Sequence, residues 1–138
     1  MKKLALFLFM IMSSVVLAQS QKSQKVKYVT IKQKVCPSQK GFQLVLKAIS
    51  NDSRCPEGVT CIWAGEVTAV VSVYKDSKLI VDSTLVFSMK NEEDNKKWLA
   101  SCLSEKQKKI KSISVLPYPK EGSKINPGEY YLKIGYLK

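Results

Sequence analysis

From Lys25 onward the apolar residues of this chain mostly recur at every second position, the period of a strand with one buried face. Val29, Ile31, Gln33 and Val35 define one face of a first strand, opposite Tyr28, Thr30 and Lys32, and Pro37 to Gly41 ends it. A second strand turns Phe42, Leu44, Leu46 and Ala48 inward and Gln43 and Lys47 outward. The alternation is cleanest in the third, with Val67, Ala69, Val71 and Val73 inside and Glu66, Thr68 and Ser72 outside. Tyr74 to Lys78 then reads as a tight hairpin connection, and Leu79, Val81, Leu85 and Phe87 return antiparallel as the inner face of its partner.

The period changes once. In NEEDNKKWLASCL, residues 91–103, Trp98, Leu99, Cys102 and Leu103 recur at helical spacing. Asn91 is placed to cap the helix, and Glu92, Glu93 and Asp94 put negative charge at the positive end of its dipole. The pattern predicts three turns that lay Trp98 and Cys102 on the sheet. Ile110 to Leu116 forms a further strand, stopped by Pro117 and Pro119. After a turn at Asn126-Pro127-Gly128, Tyr130, Leu132, Ile134 and Tyr136 make the last one. The expected fold is therefore mainly β: an antiparallel β-sandwich or open barrel of about six strands with one short helix, in a single domain over 26–138.

The N-terminus obeys a different rule. Lys2 and Lys3 precede an apolar run, and Val16-Leu17-Ala18 offers small residues at the −3 and −1 positions of a cleavage site. The run stops short of the ~20 residues a span requires. Residues 1–18 are thus expected to be a signal peptide, followed by a flexible lead-in at 19–25, with no lipid anchor and a periplasmic or secreted destination. Four cysteines in an exported chain imply two disulfides. With no histidine and no short paired cysteine spacing, neither a metal nor another cofactor is expected.

Without Lys2 and Lys3 the chain has 21 basic and 11 acidic side chains, a net +10. Seven lysines and no acid lie between Gln19 and Asn51, and EKQKKIK adds a second cluster. Such a field is either a solvated surface or a weak attraction for an anionic polymer. Arg54 is the only arginine, which argues against specific nucleic-acid reading, since bidentate contacts need that side chain.

Chemistry concentrates in DSRCPEGVTCIWAG, residues 52–65. Pro56 and Gly58 suit a turn over Cys55-Pro56-Glu57-Gly58 that brings Cys55 to Cys61. The remaining pair would be Cys36 and Cys102. Asp52, Arg54, Trp63 and Glu66 form the candidate loop site. They could clamp an anion; alternatively Asp52 caps turn amides while Arg54 lies over Trp63 or pairs with Glu66. Trp63 is expected to plug the core between loop and sheet, and Gly65 to permit a bulge or close backbone approach. No catalytic motif appears, and Cys55 and Cys61 lack the C-x-x-C spacing of oxidoreductases.

The pattern D-S-R-C-P-x-x-V-x-C-x-W-A-G resembles the signature of an uncharacterised family of small exported bacterial proteins. The likeness extends more loosely to Leu116-Pro117-Tyr118-Pro119 and the tyrosine-rich last strand. It implies a bacterial envelope or secreted setting and no activity. The expected role is a binding or interaction module, with an envelope protein or a weak anionic polymer as its partner. A structural envelope component and a protease-inhibitor-like protein are the alternatives.

Overall fold

A computed structural model describes residues 24–33 and 40–138. Among them are six strands: β1 (Val26–Lys32), β2 (Phe42–Asp52), β3 (Val67–Lys75), β4 (Lys78–Phe87), β5 (Ile110–Leu116) and β6 (Tyr131–Leu137). One α-helix, α1 (Glu92–Cys102), lies between β4 and β5. The strands form two three-stranded antiparallel sheets, ordered β1-β6-β5 and β2-β3-β4. Their inner faces meet in one core: Ile31, Val115, Leu132 and Ile134 from the first sheet, Leu46, Val67, Val71 and Leu85 from the second. The helix packs against β4 and β5, the edge strands on one side, and β1 approaches β2 on the other. No helix among these residues is long and apolar enough to cross a membrane. The expected signal peptide, the lead-in as far as Ser23, Val35 and Cys36 lie outside the described residues.

The alternation pattern holds for the inner face of β3, but Ser72, expected outside, is buried, its hydroxyl donating to Asp82 Oδ1 at 2.6 Å. All four expected inner residues of β3 are at most 3 % exposed. It fails where a strand carries an extra residue, because a one-residue slip reverses the faces. In β2 the register shifts between Leu46 and Ala48 and again between Ile49 and Asn51. Ala48 therefore turns to solvent, and Ile49 packs on the core in its place. Phe42, expected inside, is 64 % exposed at the start of the strand, beside the ammonium of Lys75. In β4 an irregularity leaves Ile80 without a partner in β3, and Leu79 and Val81 are exposed rather than inward.

A bulge has the opposite effect in β5. Simple alternation would put Lys111 on the inner face with Ile113 and Val115. The register shift between Ile110 and Ser112 makes Lys111 the extra residue, and it is exposed. The β3–β4 hairpin closes with Asp76 and Ser77, both at positive φ (49° and 68°), as a tight two-residue turn demands.

The helix lays Trp98, Leu99 and Leu103 on the core, as their spacing predicts, and adds Asn95 to the buried face. Asn95 and Leu99 are buried, while Trp98 packs at the core's margin and Cys102 is half-buried. The Asn95 side-chain amide donates to the Val86 carbonyl at 2.8 Å, pinning the helix to β4. Asn91 precedes the helix but makes no side-chain capping bond.

Candidate functional site

The stretch 52–65 leaves β2 at Asp52 and returns to β3 at Val67, which are paired across the sheet. The ladder continues into the loop: the Ser53 amide donates to the Glu66 carbonyl at 2.8 Å and the Cys55 amide to the Ala64 carbonyl at 3.0 Å. Gly65 allows this close approach. Its φ is +70°, and a β-carbon there would stand 1.9 Å from the Ser53 carbonyl oxygen, so only hydrogen fits.

The charged pair at the entrance is buried. The side chains of Asp52 and Arg54 are 10 % and 9 % exposed. Arg54 Nε and Nη2 donate to the two Asp52 carboxylate oxygens at 2.8 and 2.6 Å, a bidentate pair. Arg54 Nη1 donates to the Val115 carbonyl at 2.5 Å and Nη2 to the Pro117 carbonyl at 3.0 Å. The guanidinium lies over the Tyr118 ring, 4.8 Å from its centroid, and not over Trp63; it does not pair with Glu66. Tyr130 completes the group, its hydroxyl donating to Asp52 Oδ2 at 3.0 Å. The Leu116–Pro117 peptide is cis. Arg54 thus fastens the loop base to the end of β5, 61 and 63 residues further along.

Burial works to raise the pKa of Asp52, but hydrogen bonds from Arg54, its positive charge and the Tyr130 hydroxyl outweigh that, leaving it below its ordinary value. For Tyr130, burial and then the neighbouring Asp52 carboxylate raise the phenol. A carboxylate so held is a weak base, and the pair reads as a fastening rather than a reactive centre.

Beyond this base the Cys55–Cys61 disulfide closes the tip, with Cα atoms 5.9 Å apart. The turn inside it is shifted by one residue from expectation. The Val59 amide donates to the Pro56 carbonyl, with Gly58 third in the turn at φ +90°. The Glu57 amide donates to the Pro119 carbonyl at 2.9 Å, tying the tip to the segment after β5.

Trp63 overturns its expected role as a core plug. It is 81 % exposed, and its neighbour Ile62 94 %. Neither side chain belongs to the core or packs against it. A shallow surface lined by Pro56, Gly58, Val59, Trp63 and Tyr118 lies beside the disulfide. Tyr118 also borders a cleft of about 290 Å³ among Phe87, Met89, Glu92, Ile113 and Leu116. Met89 is 85 % exposed at its rim.

Of the four candidate residues, Asp52 and Arg54 are joined, Glu66 contributes its backbone, and Trp63 stands apart at the tip. Ile62, Tyr118, Tyr130 and Met89 belong to the surroundings that sequence reasoning missed. Tyr118 lay in a stretch already singled out; for Ile62 the one available signal was an apolar residue in a disulfide-closed loop. Cys102 is half-buried, with no sulfur partner among the described residues, and its expected partner Cys36 lies outside them. No group of three or more potential metal ligands occurs among the described residues.

Fold and loop together define a two-sheet antiparallel β-sandwich that displays an aromatic tip on a disulfide-stapled loop. Compared with protein families, curated proteins and solved structures, the chain matches none of them.

Proposed function

We propose that this is an exported, non-catalytic binding module of the bacterial envelope or secreted fraction, and that the stapled loop is its contact surface. The observation that supports this reading is the exposure of Ile62 and Trp63 at the end of a loop whose base is buried. Two large apolar side chains in water forgo roughly 2 kcal/mol each of burial energy, which docking against a partner would recover. A loop held by a disulfide, a buried ion pair and a tight glycine crossing loses little freedom on binding. Aromatic residues set on such supports are typical centres of interfaces.

The partner class favoured is an envelope protein with an apolar recess. A protease-inhibitor-like role is less favoured, because the chain bends at Ile62–Trp63, whereas proteases bind extended segments. Capture from the native envelope by wild-type and Trp63→Ala protein is the test. One stoichiometric partner lost with the substitution is expected. Bulk retention on the wall, unchanged in the variant, would instead make the protein a structural component.

A further inference from the structure

The outer face of the β1-β6-β5 sheet shares no residue with the loop. All three of its strands, VKYVTIK, IKSISVL and YLKIGYL, lack Asp and Glu and together hold Lys27, Lys32, Lys111 and Lys133. Pairing arranges this face in rows. Tyr28, Gly135 and Ser112 form one; Thr30, Lys133 and Ser114 the next; Lys32 and Tyr131 a third. The positions alternate with the buried Ile31, Leu132, Ile134 and Val115, so they point away from the core.

Tyr28 is the centre of this surface. Its ring leans across Gly135, where a β-carbon would meet Tyr28 Cε1 at 3.1 Å. The ring stays 57 % exposed, and the Lys133 ammonium stands 4.4 Å from its centroid. An aromatic surface and a cation are therefore presented at one point, beside the hydroxyls of Thr30 and Ser114. A shallow groove runs on along Thr30, Lys32, Gln33 and Tyr131. The acid at its rim, Glu129, accepts a hydrogen bond from the Asn126 amide at 3.2 Å.

We infer that this face binds an anionic polysaccharide bearing carboxylates on its rings, a polyuronate. Each sugar ring offers a flat side to Tyr28 and hydroxyls to Thr30 and Ser114, and each carboxylate meets Lys133 or Lys32. Three features select this partner. The acid-free strands give the face an excess of positive charge. Lysine meets a carboxylate as a point charge, and the exposed ring of Tyr28 offers a flat surface to a sugar ring that a bare polyphosphate chain lacks. The chain's one arginine is buried in the loop base.

Isothermal titration of the mature chain with oligogalacturonate tests the inference, with inorganic polyphosphate and oligothymidylate as comparisons. Binding should weaken steeply with salt. Tyr28→Ala and Lys133→Gln should each weaken it by at least about fivefold, as loss of a stacking platform or a paired charge does. Lys97→Gln, on the exposed side of the helix, should change it by less than about twofold. Tyr28→Leu keeps Gly135 covered while removing the ring, so it serves where Tyr28→Ala does not fold. Polyphosphate binding should be indifferent to Tyr28. The inference is overturned by no oligogalacturonate binding, by equal losses from Lys97→Gln and Lys133→Gln, by unaffected Tyr28 variants, or by tighter binding of oligothymidylate.

Discussion

Arg54 has four of its five guanidinium N–H groups bonded inside the protein, two to Asp52 and two to the carbonyls of Val115 and Pro117. No ammonium can reproduce that fork. Arg54→Lys should therefore destabilise nearly as much as Arg54→Ala, which strands the buried Asp52 carboxylate at a cost of about 3–5 kcal/mol. Urea unfolding measures both, and a lysine variant of wild-type stability would show that charge alone suffices. Trp63 presents the reverse case. Its side chain makes no use of the core, so Trp63→Ala should stay within about 0.5 kcal/mol of wild type in the same assay. A loss of several kcal/mol would return the residue to a packing role. The two residues lie nine positions apart in one motif, and nothing in the order of residues separates the buried one from the exposed one. Burial depends on which carbonyls reach Arg54, and those belong to a strand end more than sixty residues away.

Among the elements, the Gly65 crossing shapes the loop. Gly65→Ala should destabilise by more than the ~1–3 kcal/mol of a strained left-handed residue, because the Ser53 carbonyl already fills the space. Thermal unfolding checks this, and a shift of less than a degree would mean the crossing can open. Strand identity and the antiparallel pairing of β3 with β4 were legible in the alternation, as was the existence of the helix. The side chains displaced by irregular pairing were not. Ala48, Leu79, Val81 and Lys111 all changed face or exposure near an extra residue. A bulge is a property of two strands in register, and one strand's pattern contains no trace of it. The helix's apolar face was legible as well, with Trp98, Leu99 and Leu103 on the core, but the burial of Asn95 was not. Asn95 is polar in sequence yet buried, since its amide finds the Val86 carbonyl only after the helix docks on β4.

For the whole molecule, pH and redox state act on the same loop at different places. The folded Asp52 carboxyl lies below its ordinary value of 3.8, so the unfolded chain takes up that proton first as pH falls. The pair's contribution is present above about pH 4 and is lost as pH drops through the folded value. Asp52→Asn should thus melt lower than wild type at neutral pH, with the gap narrowing below about pH 4. A constant gap from pH 7 to pH 3 would contradict this linkage. Reducing the Cys55–Cys61 bridge frees only a short loop, worth about 2 kcal/mol on the chain-entropy model. The buried base remains fastened by Arg54. Reduced protein should keep its far-UV circular dichroism and lose partner capture. Global unfolding on reduction would place the bridge, rather than the ion pair, at the centre of stability.

What the amino-acid sequence determined by itself is local and periodic. It specified a mainly β chain with one helix, the approach of Cys55 to Cys61 and the excess of lysine. Each follows from neighbours within a few residues, through backbone sterics, side-chain alternation or simple charge counting. The tertiary structure decided what those residues face. It buried Arg54 beneath carbonyls from the end of β5, lifted Trp63 and Ile62 into solvent, and set Tyr28 beside Lys133 across two strands that are distant in sequence. Solvation and pairing energies depend on atoms brought together across long chain separations, and those encounters exist only once the two sheets have closed on their core.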